Sequence, residues 1–466
     1  MSLWEWHELC DALELPVTDQ TLNINGVSID SRSLQPGDLF IALSGDPGPR
    51  FHSSSMGARD GHDFVQAAVQ AGASSALISM GRDDGVSIPL LRVPDTLDGL
   101  WSLGRAARKR ISGDVVAVTG SAGKTTCRSW METLLSQQAP THASTSSLNN
   151  HWGVPLSMSR MPSDIRYAVF EVGTNNPGEI ALLTDLVAPD VAVVLNVLPA
   201  HIGRFPSMDD LRREKLSLAD GLRDDGIAVV PLDLDLSGSS VSDTRQITFG
   251  LSPDADVWGE RVFDGIGDAG AFYIYVDDQR LFCRPPFGGA HRLLTLTAVF
   301  AALAALDADL ERAARDVFRL TVPTGRGQVV NAGAWTLVDD SYNANPVSMG
   351  YAVDALHEEK GHRVALLGEM LELGSAGPSA HESVLSQALG KLDQVVTVGD
   401  AWPQLGQDFQ IEQLEDAALY RFIDSIEQAA WGKPITLLIK GANKVFWANG
   451  FVDRLKVALI ERQTAT

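Results

Sequence analysis

Eight consecutive residues, Thr119-Gly120-Ser121-Ala122-Gly123-Lys124-Thr125-Thr126, have the types and spacing to cradle a phosphate. Glycines let backbone N–H groups approach phosphate oxygens, and a helix beginning behind them adds partial positive charge. In that arrangement Lys124 reaches the β- and γ-phosphates and the Thr125 hydroxyl ligates Mg²⁺. The loop is a variant, because the general pattern places a glycine five residues before Gly123 and this chain has Val118 there. A glycine turn ahead of an ordinary helix is the plain alternative, and the agreement of strand, turn and helix weighs against it.

Three further groups could share that chemistry. Glu171 ends one apolar run and His201 lies five residues beyond the end of another, Val191–Asn196. A carboxylate and an imidazole beside Lys124 would make a magnesium and phosphate site. The alternatives are an edge carboxylate in solvent and a loop histidine bonded to a carbonyl. Lys215 falls on one stripe with Leu211, Leu218 and Leu222 of a helix read over Met208–Gly221. A cation on an apolar stripe is costly unless it finds an anion or is chemically changed. Equally, its stem could lie along the leucines while the ammonium reaches solvent or Glu214. Ser31-Arg32 and Gly61-His62-Asp63 could bind phosphate or sugar, or be solvated turns.

The elements that must position these groups alternate. Val115–Val118 reads as a buried parallel strand and Cys127–Leu135 as the helix behind the glycine loop. Tyr167–Val172, Val191–Asn196 and Ile227–Pro231 read as further strands, so residues 112–322 form a parallel sheet with right-handed crossovers. Ligands bind at the carboxyl ends of such strands. Ala290–Leu306 reads as a core helix, and Val322-Pro323-Thr324-Gly325-Arg326-Gly327 as an interdomain hinge. Beyond it Trp335–Val338, Val364–Leu367, Val395–Val398 and Ile435–Ile439 predict a second doubly wound sheet. It carries no Gly-x-Gly-x-x-Gly, so no dinucleotide cofactor is expected. Ahead of it all, strands over Val27–Asp30, Leu39–Leu43 and Ala76–Ser79 and a helix over Asp63–Gly72 make a small α/β unit, with Gly45–Gly61 as a surface loop. The expectation is an α/β chain of three domains, 1–94, 95–322 and 323–466.

The chain has 466 residues, 45% hydrophobic and 21% charged, enough for about three domains of ordinary size. A formal net charge of −22 argues against nonspecific nucleic-acid binding and against anionic membrane surfaces. Cys10, Cys127 and Cys283 are too few and scattered for a disulfide framework or zinc site, which fits a reducing cytoplasm. Met1–Asp11 lacks the basic and apolar regions of a signal peptide, and no apolar run is long enough to span a membrane.

Taken together, Thr119–Thr126, Asn149-Asn150-His151-Trp152-Gly153-Val154-Pro155 and Asp339-Asp340-Ser341-Tyr342-Asn343-Ala344-Asn345-Pro346 resemble the Mur ligases. Gly368-Glu369-Met370-Leu371-Glu372-Leu373-Gly374, Ser31-Arg32 and Asp60–Phe64 are similar to other stretches of that family, so the likeness spans all three domains. The resemblance implies a UDP-substrate-binding N-terminal domain, a central P-loop ATPase domain and a C-terminal Rossmann-like domain. It implies an ADP-forming amide ligase working through an acyl phosphate. The carboxylate of a UDP-N-acetylmuramoyl-tripeptide is phosphorylated by ATP and then attacked by the amine of D-alanyl-D-alanine.

Carried over by position, the resemblance gives a catalytic set of Lys124, Glu171, His201, Lys215 and Arg326. Thr119, Gly120, Ser121, Ala122, Gly123, Lys124, Thr125 and Thr126 hold the phosphates, with His291, Arg326 and Asp340 completing the ATP site. Thr125, Glu171, His201 and a carbamylated Lys215 face Mg²⁺. Ser31, Arg32, His62, Asn149 and Asn150 would contact the UDP substrate, and Asn343 and Asn345 the incoming dipeptide. The chain departs from the family where His291-Arg292-Leu293-Leu294-Thr295 replaces His-Asn-x-x-Asn, at Ser217 for Glu, and at Ala442 for Ser. The loop Gly45–Asp60 is also longer. A cytoplasmic monomer with no nucleic-acid partner and no membrane insertion is expected. The competing readings are a folylpolyglutamate-synthase-like ligase, a nucleotide-binding relative without catalysis, and a P-loop kinase or GTPase that fits only the middle third.

Overall fold

The computed structural model describes residues 2–46, 51, 59–82, 85–145, 148–199, 202–263, 270–287, 289–403, 409–411 and 416–464. Its centre is a nine-stranded sheet in the spatial order 279–283, 271–276, 257–263, 245–250, 227–231, 191–194, 114–119, 167–171, 141–143. The strands from 257–263 to 141–143 are parallel, and 271–276 and 279–283 add an antiparallel tail. Val115 to Val118 are fully buried because helices cover both faces of the sheet. The antiparallel tail and the strands Thr141–Ala143 and Arg245–Gly250 lie beyond the four strands expected from sequence.

A second sheet runs in the order 328–332, 335–340, 435–440, 362–368, 394–398, 409–411, parallel except for the first pair. A smaller all-parallel sheet pairs 26–28, 38–41, 75–79 and 90–93. It packs onto the central one through the helix Thr96–Arg110, whose Asp95 cap accepts the N–H groups of Leu97 and Asp98. That helix buries Leu97, Leu100, Trp101 and Leu103 in a core that runs from Trp4 and Leu9 through to Val115 and Phe170. Trp4 also donates its indole N–H to the Ser159 carbonyl at 2.8 Å. The small sheet and the central sheet therefore share one apolar core.

Two helices differ locally from their sequence reading. The helix after the glycine loop is Lys124–Ser136, three residues longer at its start, because Gly123 takes φ +84° and turns the chain directly into it. The Lys215 helix is Met208–Leu216, followed by a 3₁₀ turn over Ser217–Gly221. Ser217 donates its hydroxyl to the Glu214 carbonyl at 2.8 Å, a back-bond that favours leaving the α ladder there. Among the described residues no helix is long and apolar enough to cross a membrane. Cys10, Cys127 and Cys283 are free and buried.

Candidate active site

The carboxyl edges of the central and C-terminal sheets face each other across one cleft of about 690 Å³. The strand Asp114–Thr119 delivers the glycine loop to it, with Gly120 at φ +154° and Gly123 at φ +84°. Asn196, two residues past the neighbouring strand, shapes the loop. Its Oδ1 accepts the N–H groups of Ser121 and Ala122, both at 3.0 Å, and its Nδ2 donates to the Ala122 carbonyl at 3.1 Å. Lys124 folds back to donate Nζ to the Gly120 carbonyl at 2.7 Å, and burial pulls its pKa down. Asn196 had no assigned role from sequence, although its place just beyond a strand end was the available signal.

Glu171 ends the strand Tyr167–Glu171 and is 1% exposed. Its Oε2 accepts the Thr125 hydroxyl at 2.7 Å and its Oε1 accepts Asn149 Nδ2 at 2.7 Å. Lys215 is 2% exposed and among the described residues its ammonium has no hydrogen-bond partner. What little of it is exposed belongs to the cleft wall. Glu214 is not its partner either, because that carboxylate accepts Gly178 N–H at 2.6 Å and Ile180 N–H at 2.9 Å at the start of another helix. Burial above all, then the Lys124 cation, draws the Lys215 amine down to about 7, with Glu214 opposing. His201 lies outside the described residues.

Among the described residues no three His, Cys, Asp or Glu side chains gather as a metal cluster. Thr125 and Glu171 present a hydroxyl and a carboxylate held together, and the Lys215 amine lines the same cleft. They fit a hard cation once the amine carries a carboxylate-like oxygen pair. With Lys215 as a free ammonium, the cation would face a like charge.

The opposite wall comes from the C-terminal sheet. Arg326 holds its guanidinium 4.2 Å from the centre of the Tyr342 ring, and burial lowers its pKa against the pull of Glu171. Asp340 accepts Lys440 Nζ on Oδ2 at 2.7 Å. Burial pushes its carboxyl upward, while Lys440, Arg292 and Arg326 draw it down. Lys440 is 3% exposed and also donates to the Asn343 carbonyl at 3.1 Å. Sequence reasoning gave Lys440 no role, yet a lysine closing the apolar strand Ile435–Lys440 was visible. His291 opens the helix Ala290–Ala305 on the cleft wall, and the next residue, Arg292, donates to the Gly327 carbonyl at 2.6 Å. Thr295 donates its hydroxyl back to the His291 carbonyl at 3.1 Å.

Other expected contacts are placed differently. Asn149, Asn150, Asn343 and Asn345 all line the cleft. Asn150 Oδ1 accepts Gly153 N–H at 2.9 Å, and Asn345 Oδ1 caps the helix Pro346–His357 by accepting Ser348 N–H at 2.9 Å. His62 is buried with both ring nitrogens engaged, Nδ1 2.6 Å from Asp60 and Nε2 accepting Ser79 N–H at 2.9 Å. It serves the fold, and a substrate contact would have to break one of those bonds. Arg32 is exposed, pairs with Asp30 at 2.7 Å and holds that carboxyl down to about 2. Ser31, Arg32 and His62 do not line the cleft.

Known proteins share this chain's sequence pattern and fold. A family model described as the Mur ligase middle domain matches residues 118–303, and one described as Mur ligase, glutamate ligase domain matches residues 325–434. The UDP-N-acetylmuramoyl-tripeptide–D-alanyl-D-alanine ligase of Escherichia coli (strain K12) is 32% identical over 401 residues, 84% of this chain and 85% of that protein. The protein of the same name from Bacillus subtilis (strain 168) is 31% identical over 395 residues, 82% of each chain. A crystal structure of MurF from Acinetobacter baumannii superposes with a TM-score of 0.83 at 29% identity, over 97% of this chain and 99% of that one. The chain belongs to the Mur ligase family.

Proposed function

We propose that this chain joins D-alanyl-D-alanine to UDP-N-acetylmuramoyl-tripeptide, converting ATP to ADP and phosphate. The observation that carries the reading is the shared cleft, into which the central sheet sends Lys124, Glu171 and Lys215 and the C-terminal sheet sends Arg326 and Asp340. Two anions must meet for a carboxylate to be phosphorylated, so positioning and charge neutralisation dominate. The tripeptide carboxylate oxygen attacks the γ-phosphorus and ADP leaves. The neutral dipeptide amine then attacks the acyl carbon, phosphate departs and the amine proton is lost.

In this scheme Lys124 leaves the Gly120 carbonyl for the transferring phosphoryl group, and Arg326 meets it from the other wall. Asp340, with Lys440 beside it, is placed for the ribose. Asn343 faces the dipeptide. Mg²⁺ would be held by Thr125, Glu171, His201 and a carbamylated Lys215, and would neutralise the charge between the two substrates. A neutral amine attacks CO₂ to give the carbamate and release one proton, and burial supplies that neutral amine.

We assign the UDP moiety to residues 1–94, nucleotide to 95–322 and the dipeptide side to 323–466. A monomer acting in the cytoplasm is part of the same proposal. The stretch Asp339–Pro346 separates this reading from a folylpolyglutamate-type ligase. Phosphate release from ATP and Mg²⁺ tests it, measured with and without each of the two substrates. Release that needs a folate and glutamate instead would favour the alternative.

A further inference from the structure

Arg326 sits between two glycines with left-handed backbone, Gly325 at φ +73° and Gly327 at φ +89°. The segment borrows its shape from its neighbours. Tyr342 N–H donates to the Gly325 carbonyl at 2.9 Å and Gly327 N–H to the Asp339 carbonyl at 2.7 Å. The long Arg326 side chain is held the same way, with its guanidinium carbon 4.2 Å from the Tyr342 ring centre. Tyr342 is in turn met edge-on by Trp447, their centres 5.5 Å apart and their planes at 70°. Trp447 also covers Gly325, where a Cβ would come within 2.7 Å of the indole carbons Cε3 and Cζ3. Trp447 does not line the cleft, so its reach to a bound molecule runs through Tyr342 and the Gly325 turn.

We propose that Trp447 and Tyr342 are positioning residues that aim Arg326 at the transferring phosphoryl group; the inference rests on the role given to Arg326 above. A ring face holds a guanidinium by its quadrupole, more strongly where water is thinned. A cation aimed at charge that develops in the transition state acts on kcat rather than on substrate affinity. Loss of the aim therefore differs from loss of the fold.

The test is a set of variants assayed for phosphate release with both substrates. Trp447→Leu and Tyr342→Leu should each lower kcat about fivefold to tenfold, between the size of an exposed and of a desolvated cation–π contact, with the KM for ATP within about twofold. Tyr342→Phe, which keeps the ring, should restore kcat. Trp447→Phe offers a milder change if the leucine variant does not fold. In an Arg326→Ala background, Trp447→Leu should cost nothing further, because the group it aims is gone. If it still lowers kcat by the same factor there, Trp447 is structural and the inference fails. If Tyr342→Phe is as poor as Tyr342→Leu, the hydroxyl touches substrate and the inference fails too. If Arg326→Ala itself keeps wild-type turnover, it is the reading of Arg326 that falls.

Discussion

The Thr125 hydroxyl donates to Glu171 Oε2 across 2.7 Å, tying the first turn of the phosphate-loop helix to the end of the adjacent strand. The two groups assigned to magnesium therefore hold each other in place. Asn149 fixes the second oxygen of the same carboxylate at 2.7 Å. A side chain that orients a metal ligand typically contributes 10–100-fold in metal affinity. Asn149→Ala should accordingly raise the Mg²⁺ concentration for half-maximal phosphate release by roughly 10- to 100-fold. An unchanged Mg²⁺ titration with a raised KM for the UDP substrate would make Asn149 a substrate contact alone.

Lys124 spends its ammonium on one loop carbonyl, so the fold loses little without it. Lys124→Ala should lower phosphate release by about 10³-fold or more, the scale of a charge aimed at a transferring phosphoryl group. Its thermal midpoint should stay within a few degrees of wild type. Near-normal turnover in that variant would remove the phosphate-loop assignment.

What could be read from the sequence follows the range of the interactions. The strand Asp114–Thr119, its glycine loop and the helix behind it are local, and they stand where the periodicity indicates, with both elements somewhat longer than read. The antiparallel tail was missed although Phe272-Tyr273-Ile274-Tyr275-Val276 is rich in β-formers and a two-residue turn, Asp277-Asp278, returns it to Gln279–Cys283, a legible hairpin signal. The engagement of His62 needs Asp60 and Ser79, and the pairing of Lys440 with Asp340 spans a hundred residues. Such partnerships depend on tertiary contacts that no local pattern encodes. Lys215 lay between the two cases: its stripe left burial and escape to solvent or Glu214 equally open, and only the structure shows it 2% exposed with Glu214 committed elsewhere.

The C-terminal part should close further on the central part when both substrates bind. Gly325 and Gly327 can absorb a change in backbone angle, and Arg292 grips the Gly327 carbonyl at 2.6 Å from the central side. A second contact already exists where Gly203 N–H donates to the Glu372 carbonyl at 3.2 Å. Small-angle scattering with an ATP analogue and the UDP substrate should show a smaller radius of gyration than the free protein. An unchanged radius would contradict the closure.

Lys215 gives a pH dependence of defined sign. Its amine sits at about 7 in the folded chain against an ordinary 10.5, so the native state binds fewer protons than the unfolded state between those values. Stability contributed by this group therefore rises with pH from about 7 toward 10.5 and is lowest below 7. In CO₂-free buffer Lys215→Met should melt higher than wild type near pH 6, with the difference shrinking toward pH 10. A pH-independent difference would mean that the ammonium is solvated.

Carbamylation makes a chemical prediction at the same residue. Lys215→Ala should lose most activity, and short carboxylic acids should restore part of it by supplying the missing oxygens. Wild-type activity should also fall after prolonged removal of CO₂. Full activity in Lys215→Ala would leave the residue a bystander.

If one cleft couples ATP cleavage to joining a UDP-linked tripeptide with D-alanyl-D-alanine, the two events are locked in one-to-one proportion. Mass spectrometry of a reaction holding protein, ATP, Mg²⁺, UDP-N-acetylmuramoyl-tripeptide and D-alanyl-D-alanine tests it most directly. A UDP-linked pentapeptide should form in equal amount to the phosphate released, and none should form when ATP or either substrate is withheld. Phosphate release without a ligated product, or ligation without ATP, would contradict it.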